Sequence, residues 1–105
     1  MKRYLIFLAV LFVSFSAFAQ KEKTLTLNKE TNLIDAVYYH DNGEISQTGS
    51  FTADGKLEGN WISYDKEGNK LVSAYYKNGK KVGKWIHWIN GEKKTVNYDN
   101  NVASL

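Results

Sequence analysis

The sequence predicts an all-β fold: an antiparallel up-and-down meander of about six short strands, built from hairpin repeats of about 24 residues after a cleaved signal peptide. Three observations lead there. Turn-forming clusters alternate with β-rich runs from residue 33 onwards. A Gly-x-Trp-Ile unit occurs at Gly59–Ile62 and again at Gly83–Ile86, 24 residues later. The N-terminus has the charge, apolar run and small-residue exit of an export signal.

Met1-Lys2-Arg3 is a short positive region, and Tyr4 to Phe15 is apolar or aromatic except for Ser14. Ala17 and Ala19 form an A-x-A site, which places cleavage before Gln20. The apolar run is shorter than the ~20 residues that span a bilayer. Residues 1–19 are therefore read as a signal peptide, and the expected location is periplasmic or extracellular. No cysteine stands at the cleavage point, so a lipoprotein is not expected by that route.

Residues 20–32 are polar and read as a linker, with Thr24-Leu25-Thr26-Leu27 alternating well enough for an edge strand. The strands expected next are Leu33–His40, Glu44–Thr52, Asn60–Asp65, Lys70–Lys77, Lys84–Ile89 and Glu92–Tyr98. Each is rich in Tyr, Trp, Val, Ile or Thr, which suit a pleated surface. Between them lie Asp41-Asn42-Gly43, Asp54-Gly55, Glu67-Gly68-Asn69, Asn78-Gly79 and Asn90-Gly91. Glycine and asparagine supply the positive φ of tight hairpins. No stretch after residue 20 has helical periodicity. The domain is expected over 33–98, and 99–105 reads as a tail.

A repeat at this period marks a repeat architecture. Gly59, Trp61, Ile62 and Tyr64 align with Gly83, Trp85, Ile86 and Trp88; Gly55 aligns with Gly79 and Phe51 with Tyr75. One period earlier, Val37 and His40 take the places of Trp61 and Tyr64, a degenerate copy. Strand parity puts Trp61 and Ser63 on one face, Ile62 and Tyr64 on the other. Trp85 and His87 repeat the first face, and Ile86 and Trp88 the second. Leu71, Ser73 and Tyr75 oppose Val72, Ala74 and Tyr76. Apolar groups thus lie on both faces, more than one small sheet covers by itself.

The stretch Gly59–Trp88 resembles the variant MORN repeat, roughly G-x-W-x-x-Y, a turn glycine, a Tyr-bearing strand, then N-G-K-x-x-G-x-W. Here that reads Gly59, Trp61, Tyr64, Gly68, Tyr75, Tyr76, Asn78, Gly79, Lys80, Gly83, Trp85 and Trp88. The resemblance extends over Tyr38–Tyr98 and departs from the pattern at Trp88, where Tyr is usual, and at Val37, where Trp is usual. It implies a β-hairpin repeat. Proteins with this repeat are often grouped as antitoxin-like, and other MORN proteins are linked to membrane association and scaffolding. The chain also resembles small exported proteins of Bacteroidetes-type bacteria.

Composition narrows the chemistry. The chain has no cysteine and no proline, so no disulfide supports an 86-residue mature domain. Its 12 lysines after residue 19 nearly balance 11 acids, so nucleic acid is not an expected partner. The balance is uneven: residues 20–69 hold five Lys against nine acids, residues 70–98 seven Lys against one. His40 and His87 lie 47 residues apart, near two periods, which suggests structural positions. The acid-bearing turns lack the twelve-residue spacing of a calcium loop. No phosphate-cradling loop and no nucleophile elbow occurs. No cofactor, metal or catalytic activity is expected.

Binding is the remaining class, with a protein partner expected first. Trp61, Tyr64, Tyr75, Tyr76, Trp85 and Trp88 form the sheet's core or an aromatic contact face. Trp61, Trp85 and Trp88 are the candidates for a glycan platform, although Trp88 differs from the other two in parity. Lys77, Lys80, Lys81 and Lys84 are candidates for docking to an anionic membrane surface.

Overall fold

The computed structural model describes residues 23–104. The signal-peptide expectation for residues 1–19 lies outside them. The described residues form one antiparallel sheet of nine strands: β1 (Lys23–Asn28), β2 (Leu33–Tyr39), β3 (Ile45–Phe51), β4 (Leu57–Tyr64), β5 (Lys70–Lys77), β6 (Lys80–Lys81), β7 (Gly83–Ile89), β8 (Glu92–Asp99) and β9 (Val102–Ser104). Strands follow one another across the sheet in sequence order, and the short β6 continues the line of β7 against β5. The six expected strands are present. The edge-strand reading of Thr24–Leu27 holds, as β1. The expected tail instead contributes β9, because Asn100-Asn101 makes a two-residue hairpin turn with both φ angles positive.

Two kinds of turn set the repeat. Asn78-Gly79 and Asn90-Gly91 are two-residue turns between Lys77 and Lys80 and between Ile89 and Glu92. The other kind is a five-residue loop starting at His40, Thr52 and Asp65. In each, the first residue's N–H bonds the carbonyl of the fifth (2.7, 2.8 and 2.9 Å). This corrects the alignment of the first copy. His40 opens a turn as Asp65 does, and Tyr39 takes the place of Tyr64. His87 lies in mid-strand, so the two histidines do not occupy equivalent sites.

The tryptophan units are built by a break in pairing. Phe51 pairs with Leu57, but Thr48 pairs with Ile62, so β4 carries extra residues at Gly59-Asn60-Trp61. Likewise Tyr76 pairs with Lys81 while Ser73 pairs with Ile86, with the excess around Gly83-Lys84-Trp85. Gly59 and Gly83 take φ of 75° and 71°, a region a side chain resists. The bulge bends the strand and lays each indole over its neighbour. Trp61 then donates from Nε1 to the Ser50 carbonyl (3.0 Å), and Trp85 to the Tyr75 carbonyl (3.1 Å). In the first copy β2 pairs with β1 without any register shift. With no bulge there, Val37 falls on the face opposite the tryptophans, and Ala36 is the residue that turns inward (1% exposed).

The same pairings revise the alignment of Phe51. It packs edge-on against Trp61 (5.0 Å, 75°), as Tyr76 does against Trp85 (5.2 Å, 66°). Tyr76, not Tyr75, is its counterpart, because the Asn78-Gly79 turn is shorter than the Thr52 loop.

One layer of sheet buries little. The core is Ala36, Trp61, Ala74 and Trp85, bordered by Tyr38, Phe51, Leu57, Val72, Tyr76 and Tyr98, all on one face. The opposite face combines a cross-strand row holding half-buried Val37, Ile62 and Ile86 with polar ladders. Ser50 Oγ and Asn28 Nδ2 both donate to Asp35 (2.9 and 3.1 Å), and Asn60 donates to Ser73 Oγ and the Ala74 carbonyl (3.1 and 2.9 Å).

Candidate functional site

The six aromatic candidates divide by face. Trp61 and Trp85 are 4% and 7% exposed, and Tyr76 packs beside Trp85, so these three serve the interior. Burial pushes the Tyr76 hydroxyl above its ordinary ionisation range, and neighbouring Tyr98 adds to the effect. A platform of three tryptophans therefore does not form on the surface. Tyr64, Tyr75 and Trp88 lie on the opposite face, with Tyr75 exposed and the other two half-buried.

Tyr64 and Trp88 each wall a groove along one rim of the sheet, 24 residues apart. The first groove, about 290 Å³, is lined by Glu44, Ile45, Tyr64 and Gly68. The second, about 490 Å³, is lined by Asp65, Asn69, Lys70, Leu71, Trp88, Asn90 and Gly91. The size difference follows from the turns. The His40 loop docks onto the Asp65 loop: His40 Nε2–H donates to the Tyr64 carbonyl (2.8 Å), Asn42 Nδ2 to the Lys66 carbonyl (3.3 Å), and Lys66 Nζ lies 3.1 Å from Asp41. The two-residue Asn90-Gly91 turn is too short to reach back in this way, and the space beside Trp88 stays open.

In the wider groove, the side chains of Asp65 and Asn69 are engaged within their own turn. Asp65 accepts from the N–H groups of Asn69 (2.8 Å) and Glu67 (3.0 Å) and from Asn69 Nδ2 (3.1 Å). These bonds, the Asn69 N–H foremost, hold its carboxyl below the ordinary aspartate range. On the same rim, the Lys66 hydrogen bond and charge lower Asp41. On the far rim, the Thr52 hydroxyl lowers Asp54. These are turn-forming carboxylates. Among the described residues, no group of three His, Asp or Glu side chains is placed to hold a metal ion.

The four candidate lysines split likewise. Lys77 pairs with Glu58 at 3.2 Å. Glu58 also accepts from the Asn78 N–H (2.9 Å), and that bond first, with Lys77 second, lowers its pKa. Lys81 Nζ sits 5.1 Å from the ring centres of both Trp85 and Tyr98, a cation–π contact. Lys80 and Lys84 are exposed, with no ion pair among the described residues. Sequence reasoning missed the two grooves, the His40 lock and the place of Lys81. Lys81 is 24 residues after Leu57, the same step that relates the tryptophans, and that spacing was the available signal.

Fold and rim together define a single-layer β-meander repeat protein with a row of aromatic-walled grooves. No family model, curated protein or solved structure matches the chain.

Proposed function

We propose that the protein is an exported, non-catalytic repeat module of the variant MORN type that binds another protein along its grooved rim. Export rests on the order of charge, apolar run and A-x-A site in residues 1–19. The repeat reading draws support from two Gly-x-Trp bulges with matching φ and matching indole hydrogen bonds. The observation that carries the binding site is the groove pair walled by Tyr64 and Trp88. Aromatic side chains with an apolar body and a polar tip are favoured anchors for protein partners, and they are already fixed here by the sheet. Leu71 and Ile45, each 41% exposed, extend the apolar floor of this rim.

Immobilised protein is expected to retain an envelope protein from a cell extract, and the Tyr64→Ala/Trp88→Ala double variant to release it while keeping its circular dichroism. Retention by both proteins alike, or by neither above background, would overturn the proposal.

A further inference from the structure

Among the described residues the sheet ends at β1 and β9, and these two edges fit each other. Seven antiparallel steps separate β1 from β9 along the path, so the two edge strands run in opposite directions. A second copy, shifted along the sheet in the same orientation, therefore presents its β1 antiparallel to β9 of the first. The faces agree as well. Leu25 lies opposite Ala36 and Ala103 opposite Tyr98, so both point to the tryptophan face.

Both edges carry apolar groups with nothing over them among the described residues. Leu25 and Leu27 are 50% and 60% exposed on β1, and Val102 is 68% exposed on β9. A row of unpaired N–H and C=O groups on a strand edge is a template for another chain. β1 lacks the usual defences: it is six residues long, alternates Thr with Leu, and carries one charge, Lys23.

Charge selects the partner's orientation. Residues 23–69 hold four Lys against eight acids, and residues 70–104 hold seven Lys against two. Because strand order follows sequence order, this asymmetry is laid out across the sheet, negative over β1–β4 and positive over β5–β9. Pairing β1 with β1 would bring two acidic halves together. Pairing β9 with β1 joins unlike halves, and the preference extends over a Debye length of about 30 Å at 0.01 M salt.

We propose that the protein assembles head to tail with further copies of itself, β9 of one copy adding to β1 of the next as a continued antiparallel sheet. Such a contact is heterologous, so it generates open chains or rings rather than a closed dimer. It uses the edge strands and is independent of the groove reading.

The absence of native cysteine makes the test direct. Thr26→Cys and Val102→Cys proteins are mixed and treated with a short bis-maleimide at about 0.01 M salt, where screening is weak. The mixture is expected to yield several-fold more cross-linked dimer than either variant alone. Sedimentation equilibrium of the unmodified protein is expected to show mass rising with concentration beyond a dimer, and Leu25→Lys/Leu27→Lys to abolish that rise. Thr26→Cys alone cross-linking as well as the mixture would mean two-fold β1 pairing and overturn the proposal. So would a monomeric mass at every concentration.

Discussion

The two tryptophan units share a frame and differ in lining. Each has a positive-φ glycine two residues before the indole, an aromatic ring edge-on to it, and an Nε1–H bond to the carbonyl of the preceding strand. Around Trp61 the lining is apolar: Leu57 packs against the core, and Gly49 lies beneath the indole, where an added Cβ would come within 2.0 Å of the ring. Around Trp85 the position of Gly49 holds Ala74 and the position of Leu57 holds Lys81. The indole there is slightly more open, and a lysine stem with its ammonium covers it. Bulge and hydrogen bond are thus the constant parts of the repeat, because they place the ring.

Removing an indole, crowding it from beneath or straining its bulge should cost most. Trp61→Ala is expected to lose about 4 kcal/mol, the usual range for deleting a buried tryptophan, which in so small a core should leave the protein unfolded by circular dichroism. Gly49→Ala should cost about 3 kcal/mol by overpacking, read as a lowered urea midpoint. The Cβ there meets the rigid indole directly, whereas the second unit already accommodates one at Ala74. Gly59→Ala meets no neighbour within 4 Å, so only backbone strain remains. The expected loss is about 1–2 kcal/mol, with Gly83→Ala alike within error.

Changing the lysine that covers Trp85 should cost less. Lys81→Ala is expected to lose about 1 kcal/mol through the cation–π contact and the packed stem, and Lys81→Leu to recover it by copying the Leu57 arrangement. The smallest effect expected is the acid response. Glu58, Asp41, Asp54 and Asp65 all have lowered pKa values in the folded state. Their contribution is present above the ordinary values of 4.5 for Glu58 and 3.8 for the aspartates. It is lost as pH falls below those values through the folded ones. Tm should therefore decline on acidification below that range, and Glu58→Gln should flatten the upper part of the decline.

Much of this was legible in the residues. Turn chemistry and β-rich runs gave the six main strands, and the face parity of Trp61, Ser63, Val72, Ala74 and Tyr76 agrees with the observed pairing. What the sequence hid was register. A constant 24-residue step matches Val37 to an indole, but β2 has no bulge against β1 and Val37 lies on the other face; the same step matches Phe51 to Tyr75 instead of Tyr76, because the Asn78-Gly79 turn is shorter than the Thr52 loop. The groove beside Trp88 was hidden for a related reason. It depends on one turn being shorter than its counterpart, a difference that matters only once the loops stack. β9 was hidden because three residues after Asn100-Asn101 carry too little pattern to read.

The division between interior and rim tryptophans is tested most directly by acrylamide quenching of the unaltered protein beside its Trp88→Phe variant, which leaves both core indoles in place. The unaltered protein is expected to show a readily quenched emission component over a shielded, blue-shifted one, and Trp88→Phe to remove the readily quenched component. Identical quenching of the two proteins, or a Trp88→Phe protein that stays readily quenched, would contradict the division.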